Sequence, residues 1–136
     1  MAAADTKALI SRYLEAFNAR SIAGMLALLD DDVAHDVNQG GRRIGRDAFE
    51  SWAIHMARCY EEEIADAVVM ATEDGSRAAA EYTVRGVYRE TEDGLPEARG
   101  QTYALPGGTF FEVDDGRITR ITTYYNLEDF IAQVGG

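Results

Sequence analysis

The stretch Glu112-Val113-Asp114-Asp115-Gly116-Arg117-Ile118-Thr119-Arg120-Ile121-Thr122-Thr123-Tyr124-Tyr125-Asn126 (EVDDGRITRITTYYN, residues 112–126) places an Asp-Gly turn between two runs of β-branched and aromatic residues. Such a turn so flanked predicts an antiparallel hairpin. The same pattern extends backward. IADAVVMATE (64–73), RAAAEYTVRGVYRE (77–90), GQTYALPGGTFFEV (100–113) and RITRITTYYN (117–126) read as four strands. Glu73-Asp74-Gly75, Asp93-Gly94 and Asp114-Asp115-Gly116 mark the turns between them. Pro106-Gly107-Gly108 lacks the strand-to-helix setting of a phosphate loop and predicts a bulge or kink that curves the sheet. GLPEARG (94–100) is a loop placed to fold over the mouth of a pocket.

Ahead of residue 62 the apolar period is helical. In residues 6–19, Leu9, Ile10, Tyr13, Leu14 and Phe17 form one stripe, with Asp5 or Thr6 available as a cap. Ser21 can cap a second, shorter helix carrying Ile22, Met25, Leu26, Leu28 and Leu29. Asp30-Asp31-Asp32 suits a helix C-terminus badly, because acids oppose the dipole there, and reads as a turn. VAHDV (33–37) and RRI (42–44) follow as a short strand pair. A third helix starts at Asp47, with Glu50 at capping-box spacing and a stripe of Phe49, Trp52, Ala53, Met56, Cys59 and Tyr60. NLEDFIAQV (126–134) closes the chain as a helix capped by Asn126. Helices first and strands after predict an α+β fold, one domain over residues 1–136, with the helices covering one face of an antiparallel sheet.

Composition narrows the function classes. The 136 residues are 46% hydrophobic, enough for a core and one pocket. The net charge is −11, which repels phosphate backbones and anionic membranes, so neither nucleic acid nor a membrane is expected as partner. One cysteine, Cys59, excludes an internal disulfide and fits a reducing cytoplasm. The apolar run MLALL (25–29) is far too short to span a bilayer, and a soluble cytoplasmic protein is the expectation. The two histidines, His35 and His55, follow no compact ligand spacing and predict no metal site. His55 and Cys59, at i and i+4, can touch, and read as packing on an apolar stripe.

The element order, with RYLEAFNA (12–19) and DDGRITRITTYYN (114–126), resembles the nuclear transport factor 2-like superfamily, and within it the ketosteroid isomerase-related and SnoaL-like branch. The resemblance covers nearly the whole chain. It implies a cone-shaped curved sheet wrapped on the N-terminal helices, an apolar pocket inside, and homodimers paired through the outer sheet face. It also implies that Tyr13 sits where the isomerases place a tyrosine that hydrogen-bonds the substrate's enolate oxygen.

The isomerases' proton-moving aspartate aligns without gaps to Val37, between Asp36 and Asn38. Side chains alternate along a strand, so two arrangements are open. Either Asp36 and Asn38 face the pocket through a bulge or slip, or His35 and Val37 do. The expectation adopted is Asp36 and Asn38 inward, Asp36 shuttling the proton and Asn38 supporting Asp36 or the ligand. Thr109 occupies the position of the isomerases' second acid, and a hydroxyl is a weaker donor there. Trp52, Met56, Tyr82, Val84, Thr109, Phe111, Ile121, Thr123 and Tyr125 complete the expected lining. Such a lining suits a small apolar carbonyl compound, transformed without a cofactor by proton transfer beside the carbonyl. Two alternatives stand beside that reading. One is a non-catalytic binding or dimerisation domain. The other is a SnoaL-like polyketide cyclase, which by the resemblance requires an inward acid on a late strand. Glu112 does not supply one, since it points opposite to Phe111.

Overall fold

A computed structural model describes every residue except 1, 38, 39 and 136. The elements are α1 (Ala3–Asn18), α2 (Ile22–Leu26), β1 (Leu29–Val37), β2 (Arg43–Ile44), α3 (Arg46–Cys59), β3 (Tyr60–Ala71), β4 (Arg77–Tyr88), β5 (Thr102–Asp114), β6 (Arg117–Tyr125) and α4 (Leu127–Val134). The strands form one curved, unclosed sheet in the order β2-β1-β6-β5-β4-β3, with the N-terminal helices against its inner face. This is the α+β fold that the element order predicts and the cone that the resemblance implies.

The 112–126 hairpin forms as read. Asp115 and Gly116 both adopt positive φ, 49° and 74°, as a tight turn between right-twisted strands requires. The sheet is antiparallel but for β1, which runs parallel to β6 from Leu29↔Ile118 to Val37↔Thr123. That pairing draws Asp30-Asp31-Asp32 into β1 and not into the expected turn. The triplet lies within a register irregularity between Leu29 and Ala34, with Leu29 and Val33 buried on either side of it.

Local signals at the helix starts are partly followed. Ser21 accepts from the Gly24 N–H at 2.9 Å and Asn126 from the Asp129 N–H at 3.0 Å. The first helix starts earlier than expected, and Thr6 is buried instead, donating to the Gly75 carbonyl at 2.6 Å. The third helix begins at Arg46 after Gly45, so Asp47 lies inside it and caps nothing.

Pro106-Gly107-Gly108 makes no bulge. The β4–β5 register runs unbroken from Arg77↔Glu112 to Val87↔Thr102. Pro106 is tolerated because β6 ends at Gly107↔Tyr125, where no further partner asks for its missing N–H. The irregularity that shapes this side of the cone is in β3. Asp66 has φ 56° and the pairing shifts between Ala65 and Val68. The shift reverses the strand's faces, so Glu62 and Ile64 share the inner face before it while Val68 and Met70 are exposed after it. Asn18, at the end of α1, holds this edge strand through both amide atoms, to Ile64 N–H at 2.8 Å and Ile64 C=O at 3.0 Å.

The main core joins Leu9, Ile10, Tyr13 and Leu14 of α1 to Val33, Phe49, Phe111, Ile118 and Ile121. Each fully buried aliphatic or aromatic contributes roughly 1.5–3 kcal/mol. A second cluster closes one end. Phe130 of α4 packs edge-on against Tyr60, Tyr88 and Tyr103 at 5.8, 5.4 and 5.0 Å. Between the two clusters the cone stays hollow.

Candidate functional site

The face shown by β1 decides which of its polar residues can act. His35 and Val37 line the hollow. The expected inward Asp36 is corrected: its carboxylate accepts from Arg42 Nε and Nη2 at 2.8 and 3.0 Å and from the Thr122 hydroxyl at 2.7 Å, on the other face of the sheet. The cause is the register. Asp36 pairs with Thr122 and Val37 with Thr123, and Thr123 is the one that lines the hollow. Arg42, and more weakly Thr122, hold the Asp36 carboxyl down to about 2, so it is ionised and committed. Asn38 lies outside the described residues.

His35 is 2% exposed and packed edge-on against Phe49 and Trp52 at 5.0 and 4.4 Å. Burial, helped by Arg43, pushes its pKa down to about 4, so the ring is neutral at physiological pH. Its Nδ1 has no hydrogen-bond partner among the described residues.

Tyr13 projects from α1 into the hollow, as its place on the apolar stripe predicts. Burial pushes its phenol well above the usual range, so it stays protonated. No described residue hydrogen-bonds its hydroxyl, which leaves a buried donor facing open space. Phe111 is corrected from lining to support: it is fully buried and packs edge-on to Tyr13 at 5.7 Å. The other expected lining residues, Trp52, Met56, Tyr82, Val84, Thr109, Ile121, Thr123 and Tyr125, all border the hollow. Thr109 is engaged with its neighbours, the Tyr82 hydroxyl at 2.6 Å and the Thr123 hydroxyl at 3.2 Å.

Two acids border the hollow that the sequence reading does not place there: Glu62 on β3 and Glu92 in the loop after β4. Glu62 faces inward in a cross-sheet row, Glu62↔Gly86↔Tyr103. A side chain at position 86 would meet the Tyr103 ring at 2.3 Å; glycine there lets the ring lie flat across β4. The Tyr103 hydroxyl thereby reaches Glu62 and donates to it at 2.5 Å. Burial raises the Glu62 pKa, and the Tyr103 hydrogen bond opposes that rise only in part. Glu92 accepts from the Tyr60 hydroxyl and lies 2.8 Å from His55 Nε2. The 94–100 loop, expected to fold over the mouth, does not itself border the hollow. Leu95 and Ala98 pack instead on the end cluster, and the Pro96 carbonyl accepts from Tyr88 at 2.7 Å.

Glu62 was legible in principle. Two residues before Ile64, it shares that residue's inward face if the strand is begun at Tyr60 and not at 64. Glu92 carries no such signal, since loops have no period.

The hollow measures about 150 Å³. A second, of about 320 Å³, adjoins it across shared walls of Phe17, Trp52, Met56, Tyr60 and Glu62. Aromatic and aliphatic walls suit a flat apolar ligand. Its polar groups include a phenol, a neutral imidazole and a carboxyl of raised pKa. Together they can hold a carbonyl oxygen and exchange a proton with the adjoining carbon.

The SnoaL-like domain family matches residues 10–121. Among solved structures, a protein from Silicibacter sp. TM1040, provisionally named a polyketide cyclase, is 53% identical with a TM-score of 0.96, the alignment covering 100% of this chain and 99% of that one. Two proteins with the same provisional name are as similar. One, from Pseudomonas putida KT2440, has 51% identity, coverage of 95% and 97%, and a TM-score of 0.93. The other, from Xanthomonas campestris pv. campestris, has 54% identity, coverage of 95% and 96%, and a TM-score of 0.92. No curated protein matches the sequence.

Proposed function

The chain belongs to the SnoaL-like family of the nuclear transport factor 2-like superfamily, and from that premise we propose that it binds a small, largely apolar polycarbonyl compound and closes a ring in it by an intramolecular, cofactor-free aldol-type addition, as a polyketide cyclase does. The observation that carries this reading is Glu62: an inward carboxyl of raised pKa on the wall that Tyr13 and His35 also border. It is an inward acid, on β3 and not on the late strand where the cyclase alternative expects one. The isomerase assignment loses its base, because Asp36 is directed away and held by Arg42 and Thr122.

Ionised Glu62 takes a proton from the carbon between two carbonyls. The Tyr13 hydroxyl donates to the oxygen on which the enolate charge gathers, and burial makes that donor stronger than it would be in water. The enolate carbon attacks a second carbonyl of the same molecule, one C–C bond forms, and that carbonyl's oxygen becomes an alkoxide. The proton held by Glu62 returns to the alkoxide, so substrate and product are isomers and no oxidant or co-reactant enters. Neutral His35 positions a second carbonyl oxygen or relays the returning proton. General acid–base catalysis of this kind contributes about 100- to 10,000-fold.

The support for a dimer is the outer sheet face. Met70 and Phe110 lie on one cross-sheet row and Tyr124 on the next, at 47%, 45% and 52% exposure, with the Phe110 and Tyr124 rings 5.8 Å apart. An apolar patch of this kind fits the homodimer expected through that face.

The test is incubation of the purified protein with aromatic poly-β-ketones, read by NMR and mass. A cyclised isomer of unchanged mass, formed by wild type and not by Glu62→Gln, supports the reading. Ligands that raise the Tm yet never cyclise would return the protein to the binding-domain alternative.

A further inference from the structure

The end of α3 and the loop after β4 bring three metal-ligating side chains together. His55 and Cys59 stand one helical turn apart on α3, the spacing at which two side chains share one face. Glu92 reaches them from across 37 residues of sequence, its Oε2 2.8 Å from His55 Nε2. Cys59 Sγ lies 3.9 Å from the same nitrogen, and the three donor atoms all fall within 4.8 Å of one another. Tetrahedral bonds of about 2.0–2.3 Å to nitrogen, oxygen and sulfur put neighbouring donors roughly 3.3–3.7 Å apart, so shifts of about an ångström would surround an ion. The second Glu92 oxygen accepts from the Tyr60 hydroxyl, which orients the carboxylate as a partner group orients a metal ligand. Cys59 is buried while the His55 side chain is 49% exposed, which gives an ion a way in from the solvent side.

We propose that His55, Cys59 and Glu92 form a Zn²⁺ site at the rim of the hollow, separate from the proton-transfer groups. The donor set of imidazole, thiolate and carboxylate is one that zinc accepts with three protein ligands and a fourth position for water. On ligation the Cys59 S–H bond breaks, its proton passes to buffer, and an Sγ–Zn bond forms; no electron is transferred. The ion would reinforce the junction of α3 with the loop after β4, where the Arg89 and Glu90 N–H groups already donate to the Cys59 carbonyl and His55 meets Glu92. It would also neutralise Glu92 beside the hollow. The inference stands whether or not the chain is a cyclase.

Co²⁺ titration of the whole chain tests it, since thiolate-bound tetrahedral cobalt gives a sulfur-to-metal charge-transfer band and intense visible bands, and Zn²⁺ should displace it. One equivalent per chain is expected, with the charge-transfer band lost in Cys59→Ser and binding weakened at least tenfold in His55→Ala and Glu92→Gln. His55 is half exposed, so its variant should fold even if the buried Cys59→Ser does not, and circular dichroism checks each. A charge-transfer band that never appears would overturn the site. So would cobalt binding unaltered by His55→Ala in a folded protein.

Discussion

Tyr103 reaches Glu62 by lying across Gly86. Its hydroxyl donates to the carboxyl at 2.5 Å from two strands away, and a β-carbon at position 86 would stand 2.3 Å from its ring. The position of the proposed acid therefore depends on a glycine with no chemistry of its own. Gly86→Ala should displace the Tyr103 ring and destabilise the fold by about 1–3 kcal/mol, as overpacking typically does. Urea unfolding measures the cost. Turnover should fall with it, because Glu62 loses its orienting donor.

Burying a carboxyl opposes stability where the group must ionise. Glu62 has a raised pKa, so it contributes favourably below its unfolded value of about 4.5, and that contribution is lost as pH rises through the folded value. Glu62→Gln keeps an acceptor for Tyr103 without the charge. It should raise the Tm at pH 8, leave it unchanged at pH 4, and reduce turnover by about 100-fold or more. A calorimetric scan at the two pH values separates this from a general stabilisation.

His35 has the opposite sign. Its pKa is lowered to about 4 from 6.5, so folding keeps it neutral while the unfolded chain takes up a proton. Its contribution is present above pH 6.5 and lost as pH falls toward 4, about 3 kcal/mol in all. His35→Phe should remove that dependence. The change in denaturant midpoint from pH 4.5 to pH 7 should be less positive in the variant than in wild type, because Glu62, present in both, acts in the other direction over the same window.

Asp36 serves the outer face. Asp36→Asn should leave turnover within about threefold while costing about 1 kcal/mol of stability, the scale of an ion pair near the surface. The pair's contribution is present above the aspartate's ordinary 3.8 and lost as pH falls through about 2, so variant and wild type should become equal there. Abolished turnover in a well-folded variant would restore the isomerase assignment.

Met70→Glu and Phe110→Glu place charge in the exposed apolar rows of the outer face. Either should convert a dimer to a monomer in sedimentation analysis, with the helical core intact by circular dichroism.

The fold was readable because its signals are local. The Asp114-Asp115-Gly116 turn, the stripe through Leu9, Tyr13 and Phe17, and the period change near residue 60 each act over a few residues. Tyr13 was placed correctly for the same reason. The errors concern what only pairing decides. Asp30–Asp32 joined a strand because β6 offered a partner, which no propensity reveals. Asp36 and His35 exchanged faces on a register of one residue. Glu62 was hidden by a strand begun four residues late, and Glu92 by a loop.

Deuterium incorporation measures proton abstraction without requiring the natural substrate. An aryl 1,3-diketone incubated in D₂O and followed by NMR reports exchange at the carbon between its carbonyls. Wild type should accelerate that exchange, and Glu62→Gln should bind the diketone, by Tm shift, while exchanging no faster than buffer. Equal acceleration by both proteins would contradict the account, because the proton would then be handled by a group other than the inward carboxyl of β3.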